Sequence, residues 1–167
     1  HQNKTAFLET FKPWILPNGF FVLVEAVPAL GQRLSDLIPV EKMGTEFITS
    51  LKSAENKIYN DAENARCNWT PKTLRNDLES ANWNIIRWEV KEFFTKTIIR
   101  TTQIEQWFSV QPENSNPNYG QLLSAHFTAD QLNNLLEIFL SEVSGNTVKW
   151  RSVCLFMKFC KKTTNSS

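Results

Sequence analysis

Two groups of residues have the types and spacing that chemistry can use. Trp83, Arg87 and Lys91 recur at steps of four. Arg151, Lys158 and Lys162, with Lys149 and Lys161, make residues 145–167 wholly basic, without one Asp or Glu. Cations neutralise phosphates and release their counterions, and an indole beside them stacks a base. Trp83, Arg87, Lys91, Arg151, Lys158 and Lys162 are therefore the candidate nucleic-acid-binding set. Each line also has a plain structural role. An indole with a guanidinium closes a core edge as a cation–π pair, and lysines in a last helical turn complement the helix dipole.

Other chemistry finds little support. The chain carries no GxSxG, GxGxxG, Walker A or HExxH pattern. Only two histidines, His1 and His126, stand against a His/Cys metal site. Glu89 and Glu92 lie three apart, but Glu92 precedes Lys96 by four, the spacing of a helix ion pair. Glu41, Glu46, Glu55, Asp61 and Glu63 fall on the polar side of an expected helix and read as a solvated face. Neither a catalytic residue nor a cofactor is expected. Three cysteines, Cys67, Cys154 and Cys160, form no framework and read as buried thiols of a reduced, cytoplasmic protein. The N-x-[ST] tripeptides at Asn3, Asn68 and Asn165 are weak signals. The longest apolar run, Phe20 to Val27, contains Glu25 and is too short to span a bilayer, so no membrane partner is expected.

These residues must be positioned by secondary elements, and the spacing predicts helices. Residues 5–12 form a short one, followed by a turn at Pro13, Pro17, Asn18 and Gly19. Phe20 to Val27 reads either as a buried strand or as a buried helix. Without a neighbouring strand to pair with, helix is the reading adopted. Phe47, Leu51, Ala54, Ile58, Ala62 and Ala65 give an amphipathic helix from Thr45 to about Arg66. Thr70 and Pro71 look like an N-cap and first-turn proline. Leu74, Leu78, Ala81, Ile85 and Trp88 then carry a long central helix to about Arg100. A helical turn is expected at Ile104 to Phe108, and an exposed, mobile loop at 109–120. Thr128 and Gln131 make a capping box ahead of Leu132, Leu135, Leu136, Phe139 and Val143, and Gly145 closes that helix. A last helix runs from Thr147 to Lys162, with its cations in a narrow stripe. The expected fold is all-α, a single-domain bundle of five or six helices over 1–162 with a polar tail at 163–167. Leu51, Ile58, Leu78, Ile85, Leu136 and Phe139 are its expected core.

Two local resemblances add expectations. NWTPKTLRNDLE resembles the second half of a helix-turn-helix, which implies Lys72, Thr73, Arg75 and Asn76 facing a major groove. GNTVKWRSVCLFMKF resembles a BH1-type segment of the apoptosis-regulating Bcl-2 family at Asn146, Trp150, Val153 and Phe156, without that segment's glycine–arginine pair. Taken instead as the later BH2-type segment, with SANWNIIRWEVKEFF as BH1, it restores the family's order but stretches the spacing; membership of the family is not claimed. The function expected from the sequence is a non-enzymatic, small binding subunit of a larger assembly that contacts nucleic-acid backbone. The alternative is a protein-interaction module, Bcl-2-like or a helical adaptor, that docks other protein subunits through exposed aromatics; a third reading, a small hydrolase or transferase, would need an acidic or histidine pair converging in a pocket.

Overall fold

The computed structural model describes residues 4–64, 66–109 and 116–162. The order of elements is α1 (Lys4–Glu9), β1 (Phe21–Ala26), α2 (Val40–Met43), α3 (Thr45–Tyr59), α4 (Pro71–Ser80), β2 (Trp83–Ile98), α5 (Thr101–Phe108), α6 (Tyr119–Leu123), α7 (Ala129–Glu142) and β3 (Thr147–Lys161). The described residues are 47% helical and 25% strand, so the all-α expectation fails. The strands make one antiparallel sheet in the order β1–β3–β2. Two compact units are present. One comprises 1–31, 59–93 and 151–167; the other comprises 32–58 and 94–150.

In the first unit, β3 is the central strand. Val153, Leu155, Met157 and Phe159 are buried, and the residues between them face the other way, as a period of two requires. β1 pairs with β3 with Phe21 opposite Phe159, Leu23 opposite Met157 and Val24 opposite Phe156. The Phe21 and Phe159 rings lie 5.4 Å apart. α4 covers the inner face with Leu74 and Leu78, joined by Leu8 of α1. Thr70 caps α4 as expected: its Oγ1 accepts the Thr73 N–H at 3.1 Å.

The expected central helix ends where α4 ends. Asn82 takes φ +56°, a left-handed conformation that asparagine tolerates and that breaks a helix. From Trp83 onward the chain is extended. The rhythm through Ile85 and Trp88 that imitated a helix has a different origin. Trp83, Ile85 and Trp88 all face the core, so the strand alternation slips by one residue between Ile85 and Trp88, as at a β-bulge. The expected helices at Phe20–Val27 and Thr147–Lys162 are likewise strands. The segment that resembles a BH1-type segment is β3, a strand and not the expected helix.

The second unit is mainly helical. Its core joins Leu51 and Ala54 of α3, Ile104 of α5, Leu123 of α6, and Leu135 and Phe139 of α7. The Thr128–Gln131 capping box starts α7 as expected. Gly145 follows α7 at φ +73° and donates its N–H to the Ile99 carbonyl at 2.8 Å. α3 stops at Tyr59, short of the expected Arg66. Glu55, expected on a solvated face, is 0% exposed. Its carboxyl accepts from the Ser35 N–H at 3.1 Å, the Ser35 hydroxyl and the Tyr119 hydroxyl at 2.8 Å. A buried acid tied to several donors is the arrangement that makes its burial tolerable. Of the loop expected at 109–120, residues 110–115 lie outside the described residues, and Tyr119 and Gly120 are buried at the start of α6. The expected tail at 163–167 is also outside the described residues.

Of the six expected core residues, Leu51, Leu78 and Phe139 are fully buried, whereas Ile58, Ile85 and Leu136 are half-buried at the core margins. In urea denaturation, Leu51→Ala and Leu78→Ala are each expected to cost about 2–5 kcal/mol through the cavities they leave. Ile85→Ala is expected to cost less than either. Tyr119→Phe removes one donor from a buried acceptor and is expected to cost about 1–3 kcal/mol. A Tyr119→Phe variant as stable as the parent would show that the Glu55 network does not hold α6.

Candidate docking surface

The six residues singled out for nucleic acid do not form one surface. Trp83 is fully buried. Its indole meets the Phe159 ring edge-on at 5.0 Å, and the Lys12 ammonium lies 5.6 Å from its centroid. Among the described residues its Nε1–H has no hydrogen-bond partner. A base cannot reach it, so the stacking role fails and the packing role remains.

Arg87 and Lys91 are exposed, but both are bound to one carboxylate. Glu89 pairs with Arg87 Nη2 at 2.7 Å and with Lys91 Nζ at 2.8 Å. The hydrogen bonds from Lys91 and then Arg87 hold the Glu89 carboxyl below its ordinary pKa. The helical spacing of four is thus a strand spacing of two with Glu89 between, and the basic line is a charge ladder. Arg151 pairs with Glu92 at 2.9 Å. It shares the alternation of buried Val153 and Leu155, whereas Lys158 lies opposite Val22 on the outer face. The expected single stripe on β3 is therefore divided between two faces.

Lys158 and Lys162 do come together, with Lys161, along an open depression of about 420 Å³ whose other walls include Phe20, Asn84 and Ile86. Lys158 Nζ stands 3.7 Å over the Phe20 ring. Cys154 and Cys160, read from the sequence as separated on a helix, fall on the same alternation of β3. All three cysteines are half-buried rather than buried.

The groove-facing helix-turn-helix reading fares no better. Thr73 spends its hydroxyl on the Thr70 cap. Arg75 pairs with Glu79 at 3.1 Å and lies 5.8 Å from the Trp88 ring centroid. The residues just before α4 are turns, not a first helix.

The feature that sequence reasoning missed is apolar. The outer face of the sheet presents Val22 and Val24, which remain 58% and 50% exposed, and the approach to β1 leaves Trp14 80% and Leu16 77% exposed. Phe20 and Ile86 continue the patch. Phe156, half-buried on β3, carries it across to Phe93, 5.8 Å away. The signal was present in the run from Phe20 to Val27, apolar at both odd and even positions. A half-solvated strand alternates instead. Among the described residues no group of acidic, His or Cys side chains is arranged to hold a metal, and no helix is long and apolar enough to cross a membrane.

The ladder makes a pH prediction. A carboxyl whose folded pKa is lowered adds stability above its unfolded pKa, and loses that contribution as pH falls through the folded one. The stabilities of the parent and Glu89→Gln are therefore expected to differ at neutral pH and to converge in acid. An NMR titration of the Glu89 carboxyl should give a midpoint below that of an ordinary glutamate; an ordinary midpoint would dissolve the ladder. Set beside known proteins, the chain matches no protein-family model and no curated protein.

Proposed function

We propose that this chain is a non-enzymatic protein-interaction module, one part of a larger assembly, and that it docks another polypeptide through the outer face of its sheet on the β1 side. The observation that carries this reading is the half-exposure of Val22 and Val24 on a regular strand, on the face that also presents exposed Phe20 beneath Lys158, the residue opposite Val22. Contiguous apolar surface of this kind marks interaction sites, and phenylalanine is among the aromatic side chains enriched there. Lys158, over the Phe20 ring, and Lys91, 5.8 Å from the Phe156 ring, border the patch with charge, and an interface keeps its polar groups at the rim.

Nucleic-acid backbone is the second reading, and it now rests on Lys158, Lys161 and Lys162 alone. The two readings separate by salt, since phosphate contacts weaken steeply as salt rises and apolar docking does not. Titrations with single-stranded and duplex oligonucleotides at low and high salt are expected to show no binding. A salt-sensitive complex lost in the Lys158, Lys161 and Lys162 triple alanine variant would transfer the function to nucleic acid. The apolar reading also predicts that the folded protein enhances the fluorescence of a hydrophobic dye. The Val22→Thr, Val24→Thr double variant should lower that enhancement while changing stability by no more than about 0.5 kcal/mol per site, as for solvent-facing positions. Unchanged dye binding would remove the patch as the docking surface.

A further inference from the structure

We infer that the β1 edge takes an added β-strand: an extended segment of a partner protein, apolar on both faces and carrying a lysine or arginine opposite Glu25. This rests on the docking reading above and specifies its geometry. The argument begins with the ladder. Val27 donates its N–H to the Val153 carbonyl at 2.8 Å, continuing the register that sets Phe21 opposite Phe159. In an antiparallel pair, residues of one alternation turn both backbone groups toward the neighbour and those of the other turn both away. Val27, Glu25, Leu23 and Phe21 therefore face β3, and Val22, Val24 and Ala26 aim N–H and C=O at the open edge. Among the described residues nothing bonds them.

The two edges of the sheet are treated differently. β2 carries Arg87, Glu89, Lys91 and Glu92 within six residues and a slip in its alternation, the devices by which an edge resists pairing. β1 has no proline, no lysine and no bulge; its one charge is Glu25. Its side chains are apolar toward both faces, the pattern of a strand with neighbours on both sides. A helix resting on the outer face would cover Val22 and Val24 but leave the edge groups unpaired. An extended backbone is the partner whose own groups match theirs in spacing and direction. A second copy fits worse: antiparallel self-pairing about Val24 would set Glu25 of each copy against Leu23 of the other, twice placing a carboxylate beside an apolar side chain.

The probe is a nine-residue peptide that alternates valine and threonine with one lysine, labelled for fluorescence anisotropy and added to the full chain. Val24→Pro deletes an N–H that β3 does not use, and proline is tolerated on edge strands. It is expected to weaken peptide binding at least tenfold. Val24→Thr keeps the N–H and is expected to stay within about threefold. If the peptide instead lay on the face as apolar cargo, Val24→Thr would lose as much as Val24→Pro, which overturns strand addition and leaves the docking reading intact. Amide exchange on the unmodified protein gives an answer independent of how the proline variant folds. Val22, Val24 and Ala26 should exchange fast alone and gain protection with peptide, while Leu23 and Glu25 are protected throughout. No binding at millimolar peptide, protection gained elsewhere, or a dimer of the chain that Val24→Pro dissociates would each overturn the inference.

Discussion

If β3 slipped by one residue against β1, Val153, Leu155, Met157 and Phe159 would turn outward and Cys154, Phe156, Lys158 and Cys160 would turn into the core. Burying the Lys158 ammonium without an anion would cost far more than the apolar exchange returns. The observed register, with Val24 opposite Phe156 and Leu23 opposite Met157, is thereby fixed. Much of the first unit follows from it. Phe159 must meet Phe21 and the edge of Trp83. Val22, Val24 and Phe156 must lie on the outer face, and Lys158 must stand over Phe20. The apolar patch is thus not an accident of loose packing. It is the other side of the constraint that builds the core.

The same period governs the charges. Arg87, Glu89 and Lys91 align on one side of β2, so the carboxylate between them binds both cations. Exposed pairs of this sort contribute little stability. Their consequence lies in what the β2 edge presents, since an edge lined with alternating charge does not recruit a strand. Arg151, the first cation of the basic C-terminal segment inside the first unit, meets Glu92. A surplus that looks concentrated along the sequence is dispersed and partly cancelled in space, while Lys158, Lys161 and Lys162 share a wall of the depression beside Phe20.

What the sequence disclosed divides along local and non-local lines. Thr70 with Pro71, Thr128 with Gln131, and Gly145 are signals contained within a few residues, and the helix ends they announce are where they were expected. The strands were hidden because their pairing is long-range. Nothing near β1 in the sequence can pair with it, which favours a helix there, and its partner lies at Cys154–Phe159, more than a hundred residues away. For β2, the helical rhythm of Leu74, Leu78 and Ala81 ran on through Ile85 and Trp88 by coincidence, because the slip in β2 reproduces a spacing of three. The contrary signals were Asn82, able to take a positive φ, and the density of aromatic and β-branched residues from Trp83 to Ile98. The candidate site suffered the same error. Read as a helix, Trp83, Arg87 and Lys91 make one stripe; read as a bulged strand, they are a core anchor and a charge ladder.

Magnitudes decide how such a surface has to work. Full burial of a valine side chain returns about 1.5–3 kcal/mol. With Val22 and Val24 already about half covered, a partner resting on them gains about 1 kcal/mol from each. Association costs at least about 4 kcal/mol in lost translation and rotation, so those two side chains cannot hold a partner. The backbone of β1 supplies what the side chains lack, because its outward N–H and C=O groups form bonds of fixed direction that hold a partner strand in register over the apolar patch. The two valines are too weak alone, and the edge alone reads no side chain. Joined on the same three residues, Val22, Val24 and Ala26, they make one surface that is selective for an extended, apolar chain.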